Sequence, residues 1–255
     1  MYPLDIEMFT TSKKNSIRPA FKVKKGRLSG KVFHVAKDDI DPESGFKDLT
    51  VMDGMIQHIP GYKDRECLYI TGPSGSGKST YCSQYAREYK KKHPKNNLVL
   101  ISPISDDDCL SKLNPIRVTP NEENFINDPI TLEEVRDSLV IFDDVDAIHD
   151  KKVKEAVMNF RSQILLTGRH YCTSVLTTSH MICDYKATRE QINESHFVTF
   201  YPSGGANYHI KRFLKEYCGL KPAEITKILK LPSRWVTVHK NYPMYVLSKD
   251  SVYML

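Results

Sequence analysis

The chain has 255 residues, 40% of them hydrophobic, and 37 Lys and Arg against 31 Asp and Glu give it a formal charge of +6. That length suits one α/β domain with modest additions and argues against a second domain of comparable size. No apolar stretch approaches ~20 residues and the N-terminus lacks a charged-then-apolar pattern, so membrane insertion and secretion are not expected.

The charge is unevenly spread. Residues 151–255 hold 16 basic against 7 acidic side chains, residues 61–150 hold 11 against 16, and the first 60 hold 10 against 8. Within those first 60, Lys13, Lys14, Arg18, Lys22, Lys24, Lys25, Arg27 and Lys31 occur with no acidic residue between Met8 and Lys37. Clustered cations gain affinity for a polyanion by releasing counterions from its phosphates, although a solvated surface explains them as well. Residues 1–60, with short β-like pieces such as 31–35 (KVFHV) and no repeat, read as a basic arm or appended strands; residues 61–255 read as the main domain. The cysteines, Cys67, Cys82, Cys109, Cys172, Cys183 and Cys218, form no CxxC pair, which fits a reducing compartment and small buried residues rather than a zinc site.

The apolar run 67–70 leads into Gly72, Pro73, Ser74, Gly75, Ser76, Gly77, Lys78, Ser79 and Thr80, and then into a helical stretch, 78–92, with Pro94 beyond it. This is the full GxxxxGK[ST] phosphate-loop pattern between a strand and a helix, the context it needs. Glycines let backbone N–H groups turn toward phosphate oxygens, Lys78 reaches the β and γ positions, the Ser79 hydroxyl suits Mg²⁺, and the helix dipole favours the anion. Residues 72–80 are therefore expected to bind ATP with Mg²⁺.

After a strand at 98–101, residues 106–131, with three prolines and many Asn and Asp, read as a long connection. The next strand, 138–142, is apolar and ends in Asp143 and Asp144, a Walker B pattern. Asp143 is expected in the metal shell, and Asp144 at the strand tip as the base for the attacking water. A helix over 151–166 stops at Gly168, and Arg169 follows it. An arginine at a subunit edge reaches a neighbour's γ-phosphate, and Arg169 is the candidate beside Arg161 and Arg189. The strand 174–178 ends at Ser179 and His180, where a polar side chain beside the loop strand can report hydrolysis; Ser179 takes that role, while Thr178 and His180 equally suit a turn. Another strand, 197–200, precedes two late helical stretches, the second (222–229) amphipathic with Pro222 in its first turn. Strands alternating with helices imply a parallel sheet covered on both faces.

From about Cys67 to Leu255 these blocks (GPSGSGKST, LVIFDD, GRHYCTSVLTTSH, ATREQINESHFVTFYPS and RWVTVHKNYPMYVL) resemble the genome-packaging ATPases of large double-stranded DNA viruses, poxvirus type, within the FtsK/HerA superfamily. The chain departs from the wider superfamily at Ser179, where relatives commonly carry Gln. The resemblance implies an α/β P-loop NTPase of the ASCE/RecA-like kind, with a mainly parallel sheet flanked by helices and a short N-terminal extension. It implies a homo-oligomeric ring of five or six subunits that hydrolyses ATP and drives double-stranded DNA into a preformed capsid. It further implies capsid or portal-vertex partners and action at the assembly site in the host cytoplasm or in the virion. Cations for a sequence-independent grip on DNA are Lys151, Lys152 and Lys154, and Lys211, Arg212, Lys215, Lys227 and Lys230, each of which also suits a solvated helix face. Two other classes stay open: a nonmotor nucleotide switch, and a nucleoside monophosphate kinase, whose loop is close to GPSGSGKST.

Overall fold

A computed structural model describes residues 8–14, 16–36, 45–61, 65–105, 107–204 and 207–255; parts of the N-terminal segment (1–7, 15, 37–44) and Asp106 at the head of the long connection lie outside them. The first sixty residues supply β1 (Phe9–Thr10), β2 (Ser16–Val23), β3 (Val32–Ala36), β4 (Asp48–Thr50) and β5 (Ile56–His58). Then come β6 (Cys67–Thr71), α1 (Lys78–Lys92), β7 (Asn97–Ile101), β8 (Ile116–Val118), β9 (Ser138–Phe142), α2 (Lys151–Thr167), β10 (Ser174–Ser179), α3 (Tyr185–Glu194) and β11 (Phe197–Phe200). The chain closes with α4 (Asn207–Glu216), α5 (Pro222–Leu229), β12 (Val236–His239), β13 (Tyr245–Ser248) and β14 (Ser251–Met254).

The large sheet has the order β4-β14-β13-β12-β11-β6-β10-β9-β7-β8. Its pairings from β11 through β6, β10, β9 and β7 to β8 are parallel, and those from β11 back to β4 are antiparallel. The sheet is a mixed one with a parallel core, as the alternation of strands and helices implied. The parallel strands are apolar at nearly every position because both faces are covered. Successive side chains alternate: Leu68, Ile70, Leu98, Leu100, Leu139 and Ile141 pack on one face with Tyr81, Cys82, Tyr85 and Ala86 of α1. Val99, Ile101, Val140, Phe142 and Val175 pack on the other with Val153, Val157, Phe160 and Ile164 of α2. A further cluster joins Val198, Phe200, Val236, Val238 and Val246 to Ile210, Phe213 and Leu214 of α4 and to Ile225 and Ile228 of α5.

The N-terminal strands form a second sheet, β1-β3-β2-β5, while β4 crosses to the edge of the large one beside β14. Phe21 stacks on Phe33 with ring centroids 4.8 Å apart, and Phe9 meets Tyr245 of β13 edge-on at 5.5 Å. Each aromatic pair adds about 0.5–1.5 kcal/mol beyond its buried area, more than exposed lysines supply. Two of the N-terminal cations are held internally: Arg18 pairs with Glu66 at 2.5 Å and Lys22 with Glu88 at 2.6 Å.

Two details differ from the sequence expectation. The long connection 106–131 contains β8, which extends the sheet past β7, and Phe125, which is buried against Phe160. Of the six free cysteines, Cys109 is half-buried and Cys172 is exposed on the turn after α2, at φ 52°, where the backbone leaves the helix. Among the described residues no helix is long and apolar enough to cross a membrane.

Candidate active site

The strand order reverses around β6 and β10, and the crevice beyond their carboxyl ends is where ligands bind in such sheets. There β6 gives way to the loop 72–77 and α1. Gly77 caps the helix with φ 109°, a left-handed conformation that a side chain resists. At Gly72 a Cβ would stand 2.7 Å from the Tyr201 ring and 2.9 Å from Ser76 Oγ, so the backbone passes where only glycine fits. Pro73, Ser74, Gly75 and Thr80 are exposed, and Ser76, Gly77 and Ser79 half-buried.

Lys78 is 7% exposed, and its Nζ donates to the carbonyls of Gly72 (2.9 Å) and Pro73 (3.3 Å), with His180 Nδ1 at 3.5 Å. Burial lowers its pKa against the pull of Asp144, Asp143 and Asp146. The loop thus holds a partly desolvated ammonium against its own carbonyls.

The neighbouring strands bring the carboxylates. Asp143, directly after β9, is 1% exposed. Its Oδ1 accepts from Thr178 Oγ1 at 2.7 Å, and its Oδ2 is buried without a hydrogen-bond partner. Burial pushes its carboxyl up to about 6 against the Thr178 hydrogen bond, with the Asp144 charge adding to the rise and Lys78 opposing it. The Thr178 hydroxyl also accepts from the Asp144 backbone N–H at 3.1 Å, so one side chain of β10 fixes both acids. Asp144 has φ 48°, a left-handed conformation that aspartate tolerates and that marks functional turns. His180 Nε2 stands 3.4 Å from Asp144 Oδ1, within ion-pair range for a protonated ring but without hydrogen-bond geometry. The imidazole therefore spans from Lys78 to Asp144.

The structure sorts the expected residues. Lys78, Asp143, Asp144, Thr178 and His180 come together, with Ser79 in the first turn of α1. Ser179 turns the other way along β10 and donates to Asp146 Oδ2 at 2.8 Å. Arg169 is exposed, in the turn Gly168–Tyr171 at the far end of α2; a helix of that length rises ~25 Å, so Arg169 stands far from its own loop. Sequence reasoning missed Asp146 and Arg234, whose Nη2 donates to the Gly75 carbonyl at 2.7 Å across 159 residues of chain. No spacing rule links those positions.

Among the described residues no group of three or more His, Cys, Asp or Glu could hold a metal by itself. A divalent ion bound chiefly through substrate phosphates needs only one or two protein oxygens, and the unpartnered Asp143 Oδ2 with the Ser79 hydroxyl fits that demand.

No family model matches the chain. It is 37% identical over 235 residues to uncharacterized protein V3 of Sputnik virophage, covering 91% of this chain and 94% of that protein. Among solved structures, the crystal structure of B204, the DNA-packaging ATPase from Sulfolobus turreted icosahedral virus, superimposes with a TM-score of 0.51 at 15% identity, over 75% of this chain and 98% of that one. The genome-packaging NTPase B204 of Sulfolobus turreted icosahedral virus 2, in complex with AMPPCP, gives a TM-score of 0.46 at 12% identity, over 74% and 97% of the two chains. The chain belongs to the family of the Sputnik virophage protein V3, and its fold is the P-loop NTPase fold of a viral DNA-packaging ATPase, as the sequence resemblance implied.

Proposed function

We propose that the chain is an ATP-hydrolysing translocase that packages viral double-stranded DNA into a preformed capsid. The observation that carries this reading is the convergence of Lys78, Asp143, Asp144 and His180 at the carboxyl ends of three neighbouring parallel strands, on a fold shared with a viral DNA-packaging ATPase. In this reading Lys78 and the loop N–H groups of 72–80 bind the β and γ phosphates. Asp143 and Ser79 hold Mg²⁺, which neutralises charge on the phosphate oxygens when bound. Asp144, less buried than Asp143 and presented by a strained backbone, orients the attacking water and takes its proton; His180 keeps the carboxylate and Lys78 in register.

Arg169 acts in trans, in a ring of five or six copies. Its exposure and its distance from its own loop are compatible with reaching a neighbour's nucleotide, a role it shares as a candidate with Arg161 and Arg189. Arg169→Ala should lose turnover that returns on mixing with a Lys78→Ala subunit, which supplies the arginine; ATPase assays of the mixture check this. The DNA grip falls to the exposed cations Lys151, Lys152, Lys211, Lys215 and Lys230; Lys154 is half-buried and donates to the Asp146 carbonyl, Arg212 is half-buried and pairs with Glu216, and Lys227, though exposed, lies 3.9 Å over the Tyr253 ring. Action at the assembly site in the host cytoplasm or in the virion, docked on a capsid or portal vertex, follows from the packaging role.

Steady-state ATP hydrolysis with and without long duplex DNA, titrated over protein concentration at two salt levels, tests the proposal. Stimulation that is salt-sensitive and rises cooperatively with protein is expected. DNA-indifferent turnover contradicts it in favour of a switch, and phosphate transfer to a nucleotide in favour of a kinase.

A further inference from the structure

The crown of the phosphate loop has little packing of its own. Pro73, Ser74 and Gly75 are exposed, and a Cβ at Gly75 would meet nothing within 4 Å. Within the loop, Ser76 N–H closes a turn on the Pro73 carbonyl at 3.2 Å, and Gly72 N–H reaches the Ser179 carbonyl at 3.1 Å. At Gly75 the support comes from outside: Arg234 Nη2 donates to its carbonyl at 2.7 Å. A peptide unit is planar and trans, so holding that oxygen also holds the Ser76 N–H that faces the other way and closes the turn.

Arg234 is itself well placed to do this. Buried Ser233, just before it, donates to the Trp235 carbonyl at 2.5 Å and accepts from Lys249 N–H at 3.0 Å. Trp235, just after it, packs edge-on against Tyr81 of α1 at 5.1 Å, and the Tyr81 hydroxyl meets Thr237 Oγ1 of β12 at 2.7 Å. The arginine therefore projects from two anchored neighbours on the strand meander β12–β14. Among the described residues it pairs with no carboxylate, and its guanidinium carbon lies 3.8 Å from where a Gly77 Cβ would be. Its charge thus adds to that of Lys78 around the loop.

We propose that Arg234 is a positioning residue that ties the phosphate loop to the C-terminal meander and thereby raises affinity for the polyphosphate of a nucleoside di- or triphosphate. This rests on the reading of residues 72–80 as the nucleotide site. Because the bond is exposed, the expected effect is moderate: Arg234→Ala should weaken binding of a fluorescent N-methylanthraniloyl-ADP about tenfold, the equivalent of about 1.4 kcal/mol. The KM for ATP should rise in proportion while kcat stays within about twofold, because the loop tie is the same in ground and transition states. Arg234→Lys, which keeps the charge and a donor, should restore affinity to within about threefold of wild type.

Wild type, Arg234→Ala, Arg234→Lys and Lys78→Ala are titrated side by side, with ligand-free melting curves for each. If wild type itself fails to bind, the nucleotide-site reading falls and this proposal with it. If wild type binds, Lys78→Ala does not, and Arg234→Ala matches wild type, the Arg234 proposal alone is overturned. Loss in both Arg234 variants together with a lowered melting temperature assigns the effect to folding and also overturns it. Loss in Arg234→Ala with rescue by Arg234→Lys supports it.

Discussion

The two ends of β6 carry buried charge of opposite kinds. At its start, Glu66 is 2% exposed and saturated: it accepts from Arg18 at 2.5 Å, from the Gly61 N–H at 2.8 Å and from the Tyr85 hydroxyl, and Arg18 itself lies over the Phe197 ring. Beyond its other end, Asp143 Oδ2, Asp144 Oδ1 and Ser76 Oγ are all buried without hydrogen-bond partners. Unpartnered buried atoms occur elsewhere too, His58 Nε2 and Tyr245 Oη among them, but these three gather beside the phosphate loop, where a bound group can satisfy them. The saturated end joins the N-terminal sheet to the strand, and the unsaturated end is the one that, in the proposed function, faces the nucleotide.

Substitutions at the two ends should therefore fail differently. Lys78→Ala should abolish ATP turnover, a loss of at least ~1000-fold by analogy with removal of a group that stabilises transferring phosphate, while melting within a few degrees of wild type. Activity assays beside melting curves check both halves. Glu66→Ala should do the reverse: it removes the carboxylate that pairs with the largely buried Arg18 guanidinium and costs about 3–5 kcal/mol, read by denaturant unfolding, with nucleotide binding retained where the protein is folded.

Asp143→Asn sharpens the contrast because it should stabilise the ligand-free protein. Folding raises the Asp143 carboxyl from 3.8 to about 6, so the folded state holds its proton more tightly than the unfolded state. Its contribution is then favourable below about pH 4 and is lost as pH rises to about 6, a cost of at most about 3 kcal/mol at neutral pH. The variant should melt higher than wild type at pH 8, the gap should narrow toward pH 5, and Mg²⁺-dependent turnover should be lost.

Most of this architecture was legible in the sequence, for physical reasons. Loop, helix and carboxylate doublet are local patterns, and the strands of the parallel core are apolar throughout because both faces are covered. The limits α1 78–92 and the placing of the 174–178 strand, which the structure extends to Ser179, beside β6 followed from the same logic. What escaped depends on long-range register. Which of Thr178, Ser179 and His180 faces the site is set by the pleat of β10, and a one-residue change of phase exchanges them. That Arg18 pairs with buried Glu66 and half-buried Lys22 with Glu88 depends on how the N-terminal sheet packs, and Arg234 meets Gly75 through a strand meander rather than any local motif.

The division of labour between the paired carboxylates is tested most directly by Asp144→Asn, in a single-turnover experiment that follows bound ATP and product together. The account predicts ATP binding within about threefold of wild type and hydrolysis slowed about 100-fold or more, the range for loss of a general base. Hydrolysis at the wild-type rate would contradict it.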